Sequence, residues 1–271
     1  MSIDDPDLRR DLIATAHAVA DAARAATLPH FRSLTLAADN KRADGFDPVT
    51  EADRAAEAAM RTILAERRPD DAVFGEEFGI QPGTSGLTWV LDPVDGTRAF
   101  LAGTPTWGVL IAVGGPAGPQ LGVVDQPFIG ERFIGGFGHA EVVGPRGRQT
   151  LATRAARPLD EAILFTTFPE VGTETEARAF RSLAARVRLT RYGLDCYAYA
   201  LVAAGQVDLV VEAGLAPYDI QGPQALIEAA GGIVTDWQGR PAHEGGRVIA
   251  AANAEVHAAA LEILSTAPEN D

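Results

Sequence analysis

The stretch Trp89-Val90-Leu91-Asp92-Pro93-Val94-Asp95-Gly96-Thr97 decides how the rest of this 271-residue chain is read. Its three apolar residues read as a buried strand that delivers Asp92 at the carboxyl end, where layered α/β proteins place their sites. Pro93 fixes its own φ and biases Asp92 towards extended backbone, so that carboxylate is aimed. Asp95 follows on a tight turn that Gly96 makes possible. Two carboxylates three residues apart on a rigid turn can share one hard cation or bridge two, and Mg²⁺ takes oxygen ligands of this kind. The Val94 carbonyl, lying between them, offers a further oxygen. Gly96 and Thr97 open a short helix expected through Leu101, and N–H groups at a helix start suit a phosphate. Asp-Pro-x-Asp-Gly is also plain turn chemistry. The strand before it and the threonine after the glycine favour the functional reading.

Working outward, the segment Asp7 to Leu28 reads as a helix, because Leu8, Leu12, Ala16, Val19, Ala20 and Ala23 recur at spacings of three and four. A second helix starts at Thr50, where Thr50-Glu51-Ala52-Asp53 resembles a capping box, with Ala56, Met60, Ile63 and Leu64 as its stripe. A polar loop, Asp39 to Asp47, joins the two. Downstream, Gly108 to Val113, Leu121 to Val124 and Glu131 to Gly136 read as strands of an antiparallel meander. The first half is therefore expected to be α+β. Gly144 to Gln149 marks the expected boundary, giving an N-terminal domain over 1–147 that carries most metal ligands and a C-terminal domain over 148–271. In the second part, strands at Ile163 to Thr166, Val207 to Val211 and Ile233 to Asp236 alternate with helices. Those helices are expected over Thr175 to Ala185, Cys196 to Ala204, Gln221 to Ala230 and Ala254 to Leu264, an α/β pattern.

Composition bounds the chemistry. The formal net charge of −14 argues against a nucleic-acid groove, which needs clustered Lys and Arg. No apolar run reaches the ~20 residues of a membrane span. The start, Met1 to Asp11, is acidic and polar rather than signal-like. One cysteine, Cys196, forms no internal disulfide and fits a reducing cytosol, so a cytoplasmic enzyme is expected. The five histidines show no metal-ligand spacing. Neither a Ser-His-Asp signature nor a phosphate-binding Gly-rich loop ending in Lys-Ser or Lys-Thr is present.

Further carboxylates are ambiguous one at a time. Glu76 and Glu77 suit a solvated face, Asp53 suits a helix cap, and Asp219, between Tyr218 and a predicted helix, suits an N-cap. Together, however, Asp47-Pro-Val-Thr-Glu-Ala-Asp53, Gly75-Glu-Glu77, the Trp89–Thr97 stretch, Pro217-Tyr-Asp219 and Glu228-Ala-Ala-Gly-Gly232 resemble the inositol monophosphatase family in order, spacing and wording. The resemblance spans nearly the whole chain. It implies a layered αβαβα sandwich of the inositol monophosphatase and fructose-1,6-bisphosphatase type, commonly a homodimer, acting on a small phosphate monoester with two to three Mg²⁺ per site. It implies one ion on Glu76, Asp92 and the Val94 carbonyl, a second on Asp92, Asp95 and Asp219, and a third, weaker one near Glu76 through water. Thr97, hydrogen-bonded to Asp53, would orient or help deprotonate the attacking water, and the Gly96 and Thr97 N–H groups would grip phosphate. Glu212 matches a position that binds substrate hydroxyls. A lysine usually precedes the Pro-Val-Thr segment. Here Lys41 or Arg42 stands in for it, with the register uncertain by one residue.

The wording Gly193-Leu-Asp195-Cys-Tyr-Ala-Tyr199, with Asp125-Gln-Pro-Phe-Ile-Gly-Glu-Arg132 and Pro217-Tyr-Asp-Ile-Gln221, resembles the histidinol-phosphatase branch. The expected reaction is therefore L-histidinol phosphate to L-histidinol, in histidine biosynthesis. Asp195 and Glu212 would pair with the ammonium and imidazole of that substrate. The alternatives are an inositol 1-phosphate or sugar monophosphate substrate, with Asp195 capping the helix from Cys196. Arg98, Arg132 and Arg191 leave a bisphosphate open. A non-catalytic binding module would predict damage to the ligand set, and every matching position still carries a carboxylate.

Overall fold

The structure, a computed structural model, describes residues 5–34, 38–40 and 48–268; Lys41, Arg42 and Asp47 lie outside the described residues. Helix α1 (Pro6–Thr27) starts with Asp5 accepting from the Asp7 N–H at 2.9 Å and Pro6 in the first turn. Helix α2 (Glu51–Arg67) starts on the capping box expected at Thr50, with Asp53 accepting from the Thr50 N–H at 2.9 Å. The two stripes foreseen for these helices pack together on one face of a sheet.

That sheet is built from β3 (Ala72–Gly75), β4 (Gly79–Gln81), β5 (Thr88–Asp95), β6 (Gly108–Gly115), β7 (Gly118–Gln126), β8 (Glu131–Gly136), β9 (His139–Gly144) and β10 (Gly147–Thr150), in the spatial order β10-β9-β8-β7-β6-β5-β3-β4. A short pair, β1 (Ala38–Asn40) and β2 (Pro48–Thr50), occupies both ends of the expected loop. Only β3 and β5 run parallel within the large sheet. The short helix α3 (Thr97–Ala102) follows β5 as read. Alternation gives the sheet two buried faces. Val109, Ile111, Val123 and Ile134 meet α1 and α2, whereas Leu110, Val124 and Phe133 meet the opposite layer.

The second sheet contains β11 (Ile163–Thr166), β12 (Leu189–Tyr192), β13 (Leu209–Leu215), β14 (Ile233–Thr235) and β15 (Gly246–Ala251), ordered β12-β11-β13-β15-β14. Its helices are α4 (Glu174–Ala184), α5 (Cys196–Ala203), α6 (Pro217–Ala229) and α7 (Ala254–Leu264). Strands β11, β12 and β13 are parallel and β15 runs against its neighbours. One face meets α5 and α6, the other α4 and α7. The molecule is thus a layered αβαβα sandwich, with α5 and α6 between the sheets.

Three boundaries differ from the sequence reading. The Gly144–Gln149 stretch lies in the β9–β10 hairpin, so the first sheet continues to Thr150. Helix α6 begins at Pro217 rather than Gln221, since Pro is well suited to a first helical turn. It packs on the first sheet so closely that a Cβ on Gly122 would lie 2.1 Å from the Gly222 carbonyl oxygen. Strand β13 runs on to Leu215, carrying Glu212 inside it. Among the described residues, no helix is long and apolar enough to cross a membrane.

Candidate active site

Strand β5 does not stop at Asp92. It pairs Asp92 with Leu110 and then Asp95 with Gly108, a one-residue bulge that takes up Pro93, which has no N–H for the ladder. The bulge sets Asp92 and Asp95 side by side, and α6 brings Asp219 to them. One carboxylate oxygen from each of the three lies within 4.8 Å of the others. Each of these carboxylates accepts a backbone N–H: Val94 to Asp92 at 3.0 Å, Cys196 to Asp95 at 2.6 Å and Ala216 to Asp219 at 2.7 Å. Asp219 is therefore the third residue of α6 and not its N-cap.

Glu76 completes the group. Its N–H donates to the Leu91 carbonyl at 3.2 Å, pinning the turn after β3 against β5, and its carboxyl hydrogen-bonds Asp92. The turn itself is held by Glu57, which sequence reasoning missed. This buried residue accepts from the Glu77 N–H at 2.6 Å, the Phe78 N–H at 3.2 Å and the Arg61 guanidinium at 2.8 Å. Gly75 leaves the space Glu57 needs, since a Cβ there would lie 2.0 Å from its carboxylate. The signal was a carboxylate inside an apolar stripe, one residue after Ala56 and four after Asp53.

Burial, then repulsion from Glu76, Asp95 and Asp219, pushes the Asp92 carboxyl well above the usual range. Burial, then Asp195 and Asp219, does the same to Asp95, against the opposing Cys196 N–H. These groups cannot all ionise together unless cations offset their repulsion. The donors are all oxygens, and the Val94 carbonyl lies on the bulge between two of them. The set fits a hard divalent ion such as Mg²⁺.

Asp53 serves two elements. One oxygen caps α2 through Thr50; the other lies 3.5 Å from the Thr97 hydroxyl, the outer limit of a hydrogen bond. The same hydroxyl lies 3.1 Å from the Val94 carbonyl, so its single proton has two acceptors. Beneath this turn Phe31, Val94, Phe100 and Trp107 form a small buried cluster.

A cavity of about 380 Å³ opens beside the cluster, lined by Asp95 and the turn after it together with Asp195, Tyr199 and Glu212. Asp195 precedes α5 with φ of 47°, unusual for a residue with a side chain, and its carboxylate does not cap the helix. It instead accepts from the Thr106 hydroxyl at 3.2 Å. Gly96, at φ of 80°, faces it so closely that a Cβ would lie 2.8 Å from the carboxylate carbon. Burial raises Asp195, opposed by Thr106 and Arg98. Glu212 sits at another strand bulge, between the pairs Glu212–Val248 and Leu215–Gly246. It accepts from the Thr167 N–H at 2.6 Å and the Thr166 hydroxyl at 3.0 Å. Burial pushes it up to about 7, opposed by those bonds and assisted by the charge of Asp195.

Cys196 is buried, and burial pushes its thiol well up, which suits packing rather than reactivity. Of the three arginines kept for a second phosphate, only Arg98 lines the cavity, 4.8 Å from the Phe168 ring centre. Arg132 is bound to Asp125 and Asp21, and Arg191 lies on β12.

Comparisons with known proteins agree with this fold. A model of the inositol monophosphatase family matches residues 8–269. The chain is 38% identical over 273 residues to the chloroplastic bifunctional phosphatase IMPL2 of Arabidopsis thaliana, covering 97% of this chain and 77% of that protein. It is 35% identical over 261 residues to a histidinol-phosphatase of Streptomyces coelicolor, covering 93% and 96%. A solved inositol monophosphatase from Zymomonas mobilis superposes with a TM-score of 0.83 at 39% identity, covering 94% of this chain and 98% of that one.

Proposed function

The chain belongs to the inositol monophosphatase family and is a phosphoric monoester hydrolase, and from that premise we propose that its substrate is L-histidinol phosphate. The observation that carries the proposal is a pair of carboxylates lining the cavity beside the acidic cluster. Asp195 turns away from its capping position to face the cavity, and Glu212 stands beside it. Two carboxylates next to a phosphate-binding turn suit a substrate whose ammonium lies close to its phosphate. The match to a histidinol-phosphatase along nearly its whole length supports the same reading.

In this reading Glu76, Asp92 and the Val94 carbonyl hold one Mg²⁺, Asp92, Asp95 and Asp219 hold another, and a third binds weakly near Glu76. Bound there, divalent ions neutralise the phosphate dianion and lower the pKa of water. The Gly96 and Thr97 N–H groups hold the phosphate. The Thr97 hydroxyl accepts a hydrogen bond from the attacking water while its own proton turns to Asp53, which orients the water for in-line displacement. A new P–O bond to the water oxygen forms as the ester P–O bond breaks; that bond's electron pair stays on the departing oxygen, which takes up one proton from the water, and alcohol and inorganic phosphate leave. The same reading carries a homodimer, a cytoplasmic setting and a place in histidine biosynthesis.

One feature favours a second reading, an inositol or sugar monophosphate. Glu212, pushed up to about 7, can stay protonated and donate to a hydroxyl. The test is phosphate release by metal-stripped protein, with and without added Mg²⁺, on L-histidinol phosphate and inositol 1-phosphate side by side. The expected result is activity only with Mg²⁺ and a kcat/KM at least about tenfold higher for histidinol phosphate. Equal or better turnover of inositol 1-phosphate would sink the histidinol reading.

A further inference from the structure

Phe168 follows β11 and lines the same cavity as Asp195 and Glu212, yet it is 44% exposed. The other aromatic residue in that lining, Tyr199, is 4% exposed, so Phe168 offers the accessible ring. The residue before it is tied to Glu212, which accepts from the Thr167 N–H at 2.6 Å. Arg98, the residue after Thr97, places its guanidinium carbon 4.8 Å from the ring centre. The ring therefore stands within one arginine side chain of the phosphate-binding turn. Arg98 is itself exposed, which sets the pair at the cavity mouth. A guanidinium over an aromatic face is attracted by the ring's quadrupole, and the contact holds the ring in one orientation. Single exposed phenylalanines are ordinary on a protein surface. One fixed in the lining of a carboxylate-rich cavity adds an apolar face to a charged site.

We infer that Phe168, braced by Arg98, is a specificity-determining residue that stacks against a flat, unsaturated ring on the alcohol part of the substrate. Aromatic rings meet in offset or edge-to-face contacts that a saturated ring of similar size does not match. A ring already held loses little freedom when a second one arrives, so the preference shows in binding. The substrate class is then a phosphate monoester whose alcohol ends in an aromatic ring. The imidazole of histidinol phosphate is such a ring, and inositol carries none. The inference rests on the reading proposed above and deepens it by naming the residue that receives the ring.

The probes are 3-phenylpropyl phosphate and 3-cyclohexylpropyl phosphate, whose rings sit as far from the ester oxygen as the imidazole of histidinol phosphate. Neither carries an amine, so pairing with Asp195 does not enter the comparison. The cyclohexyl ring is the more apolar, so burial alone would favour it. The readout is the ratio of kcat/KM values, phenyl over cyclohexyl. In the wild type it should be roughly fivefold, the effect of one aromatic pair. Phe168→Leu keeps an apolar side chain and removes the ring, and the ratio should fall to about one or below, chiefly through KM. Phe168→Tyr keeps a ring and should hold the ratio within about twofold of the wild type. A wild type without the preference overturns the inference. So does Phe168→Leu if its ratio does not fall or both activities are lost alike, and so does Phe168→Tyr if its ratio collapses. If the ratios behave as expected although inositol 1-phosphate outruns histidinol phosphate, Phe168 keeps its role and the histidinol reading fails. If histidinol phosphate is preferred and the ratio does not move, the substrate reading stands and the Phe168 inference fails.

Discussion

Strands β5 and β13 belong to different sheets, yet both bulge by one residue, and each presents a buried carboxylate at the break: Asp92 on β5, Glu212 on β13. The backbone device is the same and the company differs. Asp92 is crowded by Glu76, Asp95 and Asp219, so its ionised form asks for cations. Glu212 is met by the Thr166 hydroxyl and the Thr167 N–H, so it can sit in either protonation state without an ion. A strand bulge aims a side chain; its neighbours decide which partner that side chain will take.

The sharpest way to break this comparison is Asp92→Asn. If cations are what the crowding asks for, kcat/KM should drop at least about a hundredfold, the loss of several kcal/mol of charge stabilisation. The metal-free protein should meanwhile melt higher, because one member of a repelling set is gone. Activity assays and melting curves without metal check both; unchanged activity would end the metal-site reading. On the other side, Glu212→Gln tests the ion-free carboxylate. With a folded pKa of about 7 against 4.5 when unfolded, Glu212 adds stability that is complete below about pH 4.5 and is lost as pH rises through 7. Over that window the wild type should lose about 3 kcal/mol more than the glutamine variant, measured by denaturant unfolding without metal. A parallel pH dependence in both proteins would contradict the assignment. The smallest effect concerns the seam between the two regions. Gly96→Ala should cost about 1–2 kcal/mol for its left-handed backbone, plus the contact with Asp195. Adding Asp195→Ala should recover only the contact. Full recovery would show that the backbone conformation is not the constraint.

The two regions also differed in how far they could be read from sequence. The Asp92–Thr97 turn was legible because strand, proline, carboxylates and glycine are contiguous, and each residue type constrains the next. Asp53 was harder, since one carboxylate serves as cap and as neighbour of Thr97. A second capping box, at Thr173 and Glu176, carries the same local signature, but its glutamate pairs with Arg247 instead. Only tertiary contacts separate the two. Asp195 looked like an N-cap because it occupies that position; its side-chain direction depends on Thr106, distant in sequence. Strand β12 is a largely exposed edge with little alternation, and β15 opens with glycine and ends in alanines, so neither carried a strand signal. Lys41 and Arg42 lie outside the described residues.

Helix α6 comes late in the chain yet covers the early sheet and brings in Asp219. During translation, Asp92 and Asp95 leave the ribosome several seconds before Asp219, at ordinary elongation rates of about 5–20 residues per second. Until then the sheet face bearing Leu110, Val124 and Phe133 has only α5 to cover it. The acidic cluster stays one carboxylate short for the same interval. The nascent polypeptide should therefore be silent towards the cell's phosphate esters until α6 has been made, when that helix packs on the sheet and completes the site.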